Sequence, residues 1–228
     1  IDQYYLYWQR LVSNTDLKEL LAPIWNDVKH VWTRDIFKNV FLNHNNKLEN
    51  KDDYINHSLY FEAKTFLHGL FVVEDKLSMA HSIENRVPFM DNDLVDFAMQ
   101  CPVNLKLNNT KNVSRIDENT QNKKKNLYFE KSNNGKLIIR EMMSRYIPDK
   151  ITQLPKQGFS SPDASWFKGE SINFVKKKLF ESNSKIYEIL DRSTIKRLTE
   201  EHFSGKKNRR LLIWSLLNLD AMMDNEFQ

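Results

Sequence analysis

Between Lys51 and Met79 the chain has a single glycine, Gly69, and no proline. A stretch that long without a breaker has one natural outcome, a helix. Ile55, Leu59, Glu62, Phe66, Leu70 and Val73 step by three or four residues and fall on one line. Phe61, Ala63, Leu67, Phe71 and Val72 widen that line well beyond a stripe. The pattern predicts a helix buried on most of its sides, with Asp52 and Asp53 at its positive end. Glu62 lies on the apolar line, either snorkelling towards a neighbour such as Lys64 or buried against a cation.

The rest of the chain is equally poor in breakers. With 5 Gly and 6 Pro in 228 residues, it is expected to be mainly α rather than a turn-rich β fold. Asp16 to Val28 predicts a helix bent at Pro23, and His30 to Phe41 another. Asn43 to Asn50 predicts a loop. Val87 precedes Pro88 and is pushed out of helical angles; Asp91 or Asn92 then caps a helix that Pro102 ends. Further helices are expected at Gly135 to Tyr146, Trp166 to Leu179, Ile186 to Leu190, Thr194 to Phe203 and Leu211 to Met223, with Gly205 as a C-terminal cap. Asn104 to Asn134 is almost devoid of apolar side chains and predicts a flexible excursion. Residues 1–228 are read as one helical domain.

Several function classes are disfavoured. Net charge is +4, from 34 basic and 30 acidic residues, too balanced for a nucleic-acid binder. No run of about 18 apolar residues predicts a membrane span. A lone cysteine, Cys101, rules out an internal disulfide and fits a reducing, cytoplasmic setting. The six histidines lack metal-ligand spacing. No GxGxxG, no Walker lysine and no nucleophile elbow is present.

Two segments have the composition of a site. In Glu74 to Phe97, the charges of Asp75, Lys76, Glu84, Arg86 and Asp91 stand among Leu77, Met79, Ile83, Val87, Phe89 and Met90. Ionic groups held among apolar ones suit the wall of a cleft. Asp75, Ser78, Met79 and Ser82 share a helix face by spacing, as a polar stripe or as a local cap. Glu84 and Arg86 share a side only if the backbone is extended, which Pro88 favours. Arg86 would then hold a carboxylate or phosphate, with Glu84 orienting it or binding a substrate ammonium, or the two would form a plain structural ion pair. The second segment, Lys156 to Pro162, has the parts of an anion cradle: Gly158 admits close backbone approach, Pro162 can open a helix, and Lys156 adds a positive charge. An ordinary loop would look similar.

Taken together, these two segments resemble the synthetase domain of glutamine-hydrolysing asparagine synthetases. The resemblance rests on Asp75-Lys76, Ser78-Met79-Ala80, Glu84-Asn85-Arg86-Val87-Pro88-Phe89 and Asp91. It continues in Gly135 to Arg140, Tyr146-Ile147-Pro148, Lys156 to Pro162 and Trp166. It implies the helical C-terminal part of an adenine-nucleotide α-hydrolase-like, ATP-pyrophosphatase domain. It further implies that aspartate is adenylated by ATP with Mg2+ and that ammonia released from glutamine displaces AMP. Lys156 matches the lysine that stabilises charge in that chemistry. Glu84 and Arg86 match positions at the substrate end, with Asp75 and Gly158 as further binding candidates. The partner implied is an N-terminal glutaminase domain of the same polypeptide.

The chain departs from the family pattern in informative ways. A Ser-Gly-Gly-x-Asp-Ser pyrophosphate loop is not in it, nor is an N-terminal catalytic cysteine. Val73 stands where many relatives carry a basic residue, and His68-Gly69 replaces a Pro-Asp. The expectation is therefore part of a longer enzyme, inactive by itself. Two alternatives remain open: an amidotransferase acting on a sugar acid, or a helical scaffold without chemistry. An exposed apolar face is expected where other parts of the enzyme would dock, with self-association as its consequence.

Overall fold

In a computed structural model the described residues are 2–9, 11–42, 48–108, 135–154, 167–181 and 183–224. They are mainly helical, as expected, and the strand-like pairing among them is an isolated antiparallel bridge between Leu107 and Gly135. Lys156, Gly158 and most of the 104–134 excursion lie outside the described residues. The chain divides into two compact units. One is built from residues up to 34 and from 167 onwards; the other from 35–108 and 135–154.

In the first unit, α1 (Asp2–Trp8) anchors through Tyr5, which is buried and hydrogen-bonded to Thr33 at 2.6 Å. Ser13 caps α2 (Asn14–Leu20) by accepting from the backbone N–H of Asp16. Pro23 then opens a 3₁₀ turn, Ala22–Ile24, before α3 (Trp25–Val28), giving the bend its sequence predicts. The remaining elements are α11 (Ser171–Lys176), a π turn Lys177–Glu181, a 3₁₀ turn Lys185–Glu188, α12 (Arg192–Phe203) and α13 (Arg210–Asp224).

These elements share one core: Leu20, Val175, Leu179, Ile186, Leu190, Ile195, Leu198, Leu212, Ile213 and Leu216. The polar groups buried with it have partners, as burial requires. Ser184 donates to Asp220, Tyr187 donates to the carbonyl of Leu179, and His202 Nδ1 accepts from the N–H of Arg209 at 3.1 Å. Gly205 (φ 78°) ends α12 in the left-handed region, where glycine is unstrained.

The second unit takes in α4 (Thr33–Asn39) from Asp35 on, and α5 (Lys51–Glu62). Asn50 and Asp53 form a full capping box at the start of α5. A π turn, Ala63–Leu67, follows, and α6 (His68–Met79) continues the path. After a 3₁₀ turn, Pro88–Met90, come α7 (Asn92–Gln100), α8 (Val103–Lys106), α9 (Leu137–Met143) and α10 (Asp149–Thr152). A small aromatic cluster holds α4 to α5: Phe37 and Phe61 ring centres lie 4.6 Å apart, and Phe41 stacks on His57 at 5.5 Å.

One expectation is overturned. The run from Lys51 to Met79 is helical, but it is not buried on most sides. His57 and Phe61 are the buried residues of α5, and α6 has none. Leu70, Val72, Val73 and Leu77 are all exposed, as is Glu62. Apolar periodicity reports which surface a helix offers, not whether anything covers it.

Candidate functional site

The charged segment is built on the end of α6. The N–H of Ile83 bonds to the carbonyl of Ser78 at 3.0 Å, and the N–H of Ser82 to that of Met79 at 2.9 Å. That pair of bonds is a Schellman stop, which requires a left-handed residue just past the helix. Ser82 supplies it, at φ 57°. Ser78 Oγ donates to the carbonyl of Asp75 at 3.2 Å. Of the polar stripe, the Ser78 hydroxyl is spent on the backbone of its own helix, and Ser82 ends that helix through its backbone.

Beyond the stop, Glu84 to Val87 is non-helical, and Val87 has φ −117° and ψ 86°. Glu84 and Arg86 therefore share a side and form an ion pair at 2.8 Å. Asn85 turns the other way: its Nδ2 donates to Glu74 Oε1 on α6 at 2.8 Å. Asp91 closes the segment as N-cap of α7, accepting from the N–H groups of Asp93 and Leu94 at 3.1 and 3.2 Å.

The segment does not sit in a cleft of this chain. The Arg86 and Glu84 side chains are 81% and 70% exposed. Leu77, Ile83 and Phe89 beside them are at least 60% exposed. Asp75 is exposed too, on the last turns of α6. The structure brings Asp75, Glu84 and Arg86 onto one short stretch of the second unit, while Lys156 and Gly158 fall outside the described residues. What sequence reasoning missed is the Glu74–Asn85 bond, for which residue type and spacing offer no signal. Among the described residues no group of three or more His, Cys, Asp or Glu is gathered to hold a metal ion.

A separate charged network lies in the first unit. Arg209, 6% exposed, reaches Asp16 at 3.2 Å and Glu201 at 2.9 Å. Arg197 reaches Glu19 at 2.5 Å and Asp16 at 3.3 Å. Burial works against ionisation of Asp16, but the Ser13 hydroxyl and the two guanidinium groups outweigh it and hold its carboxyl below the usual 3.8. Hydrogen bonds from Ser193 and Thr194 lower Asp191 in the same way. A surface recess of about 550 Å³ is lined by Glu19, Ala22, Asp191, Ser193, Thr194 and Arg197. Its polar groups are already spent on ion pairs and on capping α12, so it is structural surface rather than a second site.

The family model for asparagine synthase matches residues 3–224. Among curated proteins, an asparagine synthetase [glutamine-hydrolyzing] of Bacillus subtilis is 26% identical over 72% of this chain and 22% of its own length. A putative asparagine synthetase [glutamine-hydrolyzing] of Methanocaldococcus jannaschii is 30% identical over 52% of this chain and 23% of its own. An amidase of Penicillium rubens, chyE, is 25% identical over 57% of this chain and 17% of its own. The chain spans about a fifth of the length of such relatives. No solved structure matches it.

Proposed function

The chain belongs to the asparagine synthase family, and on that footing we propose that it is one part of an ATP-dependent, amide-forming ligase. The acceptor carboxylate attacks the α-phosphorus of ATP and expels pyrophosphate. Ammonia from glutamine then attacks the acyl carbon and AMP leaves. ATP enters with its Mg2+ as substrate.

The observation that carries the reading is the presentation of Glu84 and Arg86 side by side on a non-helical segment. In this scheme Arg86 takes the acceptor's carboxylate in its planar fork, and Glu84 orients Arg86 or pairs with the acceptor's ammonium. Asp75 lines the same end. Gly158 gives backbone access to an oxyanion, and Lys156 places an ammonium against the charge that develops at phosphorus and at the tetrahedral carbon. Aspartate is the proposed acceptor, in the cytoplasm, with a glutaminase domain of the same polypeptide as the ammonia source. The departures at Val73 and His68-Gly69 favour keeping a sugar acid as the second acceptor to test.

The test is AMP release by the full-length ligase with Mg-ATP, ammonia and each acceptor acid in turn. AMP that depends on aspartate, with an aspartate KM raised at least tenfold in Arg86→Lys, supports the reading. AMP that depends on the sugar acid transfers it to the second acceptor. No acceptor-dependent AMP at all overturns it. The 228 residues alone are expected to release none.

A further inference from the structure

Glu84 and Arg86 stand on a piece of chain with little to hold it. It is anchored at one end by the Schellman stop at Ser82 and at the other by the Asp91 cap. Between those anchors, among the described residues, no backbone-to-backbone hydrogen bond involves Glu84, Asn85 or Arg86. What ties the stretch to the helix behind it is a side chain, Asn85 Nδ2 donating to Glu74 Oε1 at 2.8 Å. The bonds define the arrangement: Asn85 is tied to α6, while its two neighbours, Glu84 and Arg86, pair with each other. Pinning it to α6 sets the direction in which the Glu84–Arg86 pair projects.

We propose that Glu74 and Asn85 are positioning residues, a latch that fixes the Glu84–Arg86 pair for the acceptor acid. The proposal rests on the substrate role given to that pair above. Neither latch residue touches the acceptor; each acts through the backbone between Ile83 and Val87. The acceptor of the bond is a carboxylate, which strengthens it over a neutral pair. It is nonetheless exposed, so its loss should barely move stability. A misplacement of Arg86 by a fraction of an ångström would weaken binding of the acceptor.

Steady-state kinetics of the full-length ligase test this. Asn85→Leu and Glu74→Ala should each raise the KM for the acceptor acid roughly tenfold, with kcat within about twofold and the KM for ATP unchanged. Glu74→Gln keeps an accepting oxygen and should retain the wild-type KM. The double variant should be no worse than either single one, as for two halves of one bond. Melting temperatures should stay with the wild type, whereas a merely structural bond would move them and leave KM alone. If Asn85→Leu keeps the wild-type KM while Arg86→Lys raises it, the latch is wrong and the function stands. If Arg86→Lys also leaves KM unchanged, both fall.

Discussion

Arg86 and Arg209 are each paired with carboxylates, yet their surroundings assign them opposite work. Arg209 is buried and bridges Asp16 and Glu201. Truncating it removes the buried cation from two partly buried carboxylates and leaves them the half-exposed Arg197, so Arg209→Met should cost about 3 kcal/mol or less in urea unfolding of this chain. Arg86 is 81% exposed, and pairs of that kind contribute little; Arg86→Met should leave the urea midpoint where it was. Equal costs for the two would show that the exposed pair is structural. Ser82 makes a third case. A serine at φ 57° occupies a position where glycine is unstrained. Ser82→Gly should therefore stabilise by roughly 0.5 kcal/mol, the relief of strain exceeding the extra freedom of the unfolded chain. A lower midpoint in that variant would mean that the serine side chain, rather than the backbone angle, secures the stop.

Among the elements, α2 is one whose attachment should depend on pH. Asp16 on α2 pairs with Arg197 on α12 and with Arg209 just before α13. Its folded-state pKa lies below 3.8. Between that value and 3.8 the unfolded chain binds the proton first, so stability rises with pH there. The contribution is whole above the unfolded value and is lost as pH falls through the folded one. Asp191, the cap of α12, adds a loss in the same direction. Urea midpoints taken from pH 5 to 2 should fall, and Asp16→Asn should flatten that fall while lowering the plateau; an unchanged slope would remove Asp16 from the account. Features that start, bend or tie down the helices differ in how plainly they show in sequence. Asp91, Pro23 and Gly205 act locally, and their residue types suffice to place them. The non-helical backbone just before Pro88 is equally legible, because the proline pushes Val87 out of helical angles. The ion pairs of Asp16 are not, since their partners lie far along the chain. The π turn at Ala63–Leu67 is not either, since an apolar pattern reads the same through one inserted residue.

For the molecule as a whole, the deciding quantity is where burial is complete. Val175, Leu179, Ile186, Ile195, Leu198 and Ile213 have no exposed surface, and all lie in the first unit. Among the described residues the second unit buries fewer side chains, and α6 and α7 bury none. Sequence periodicity could not show this contrast: Leu70, Val73 and Leu77 are as apolar as Leu198 and Leu212, and coverage is a property of neighbours, not of pattern. The physical consequence is uneven opening. Segments with a packed core exchange their amide hydrogens only on wide unfolding, while helices without one open locally at small cost. Hydrogen exchange read by mass spectrometry on this chain should show α12 and α13 slowest and α6 and α7 faster by about two decades or more. Ile213→Ala removes a fully buried side chain and should cost about 3 kcal/mol. That loss should appear in the exchange of α12 and α13, whose protection depends on the core Ile213 completes. It should leave α6 nearly untouched, because a helix that already opens locally gains nothing from a weaker core elsewhere. Equal protection in α6 and α12, or a uniform loss in both with Ile213→Ala, would mean that the chain opens as one cooperative body despite its uneven burial.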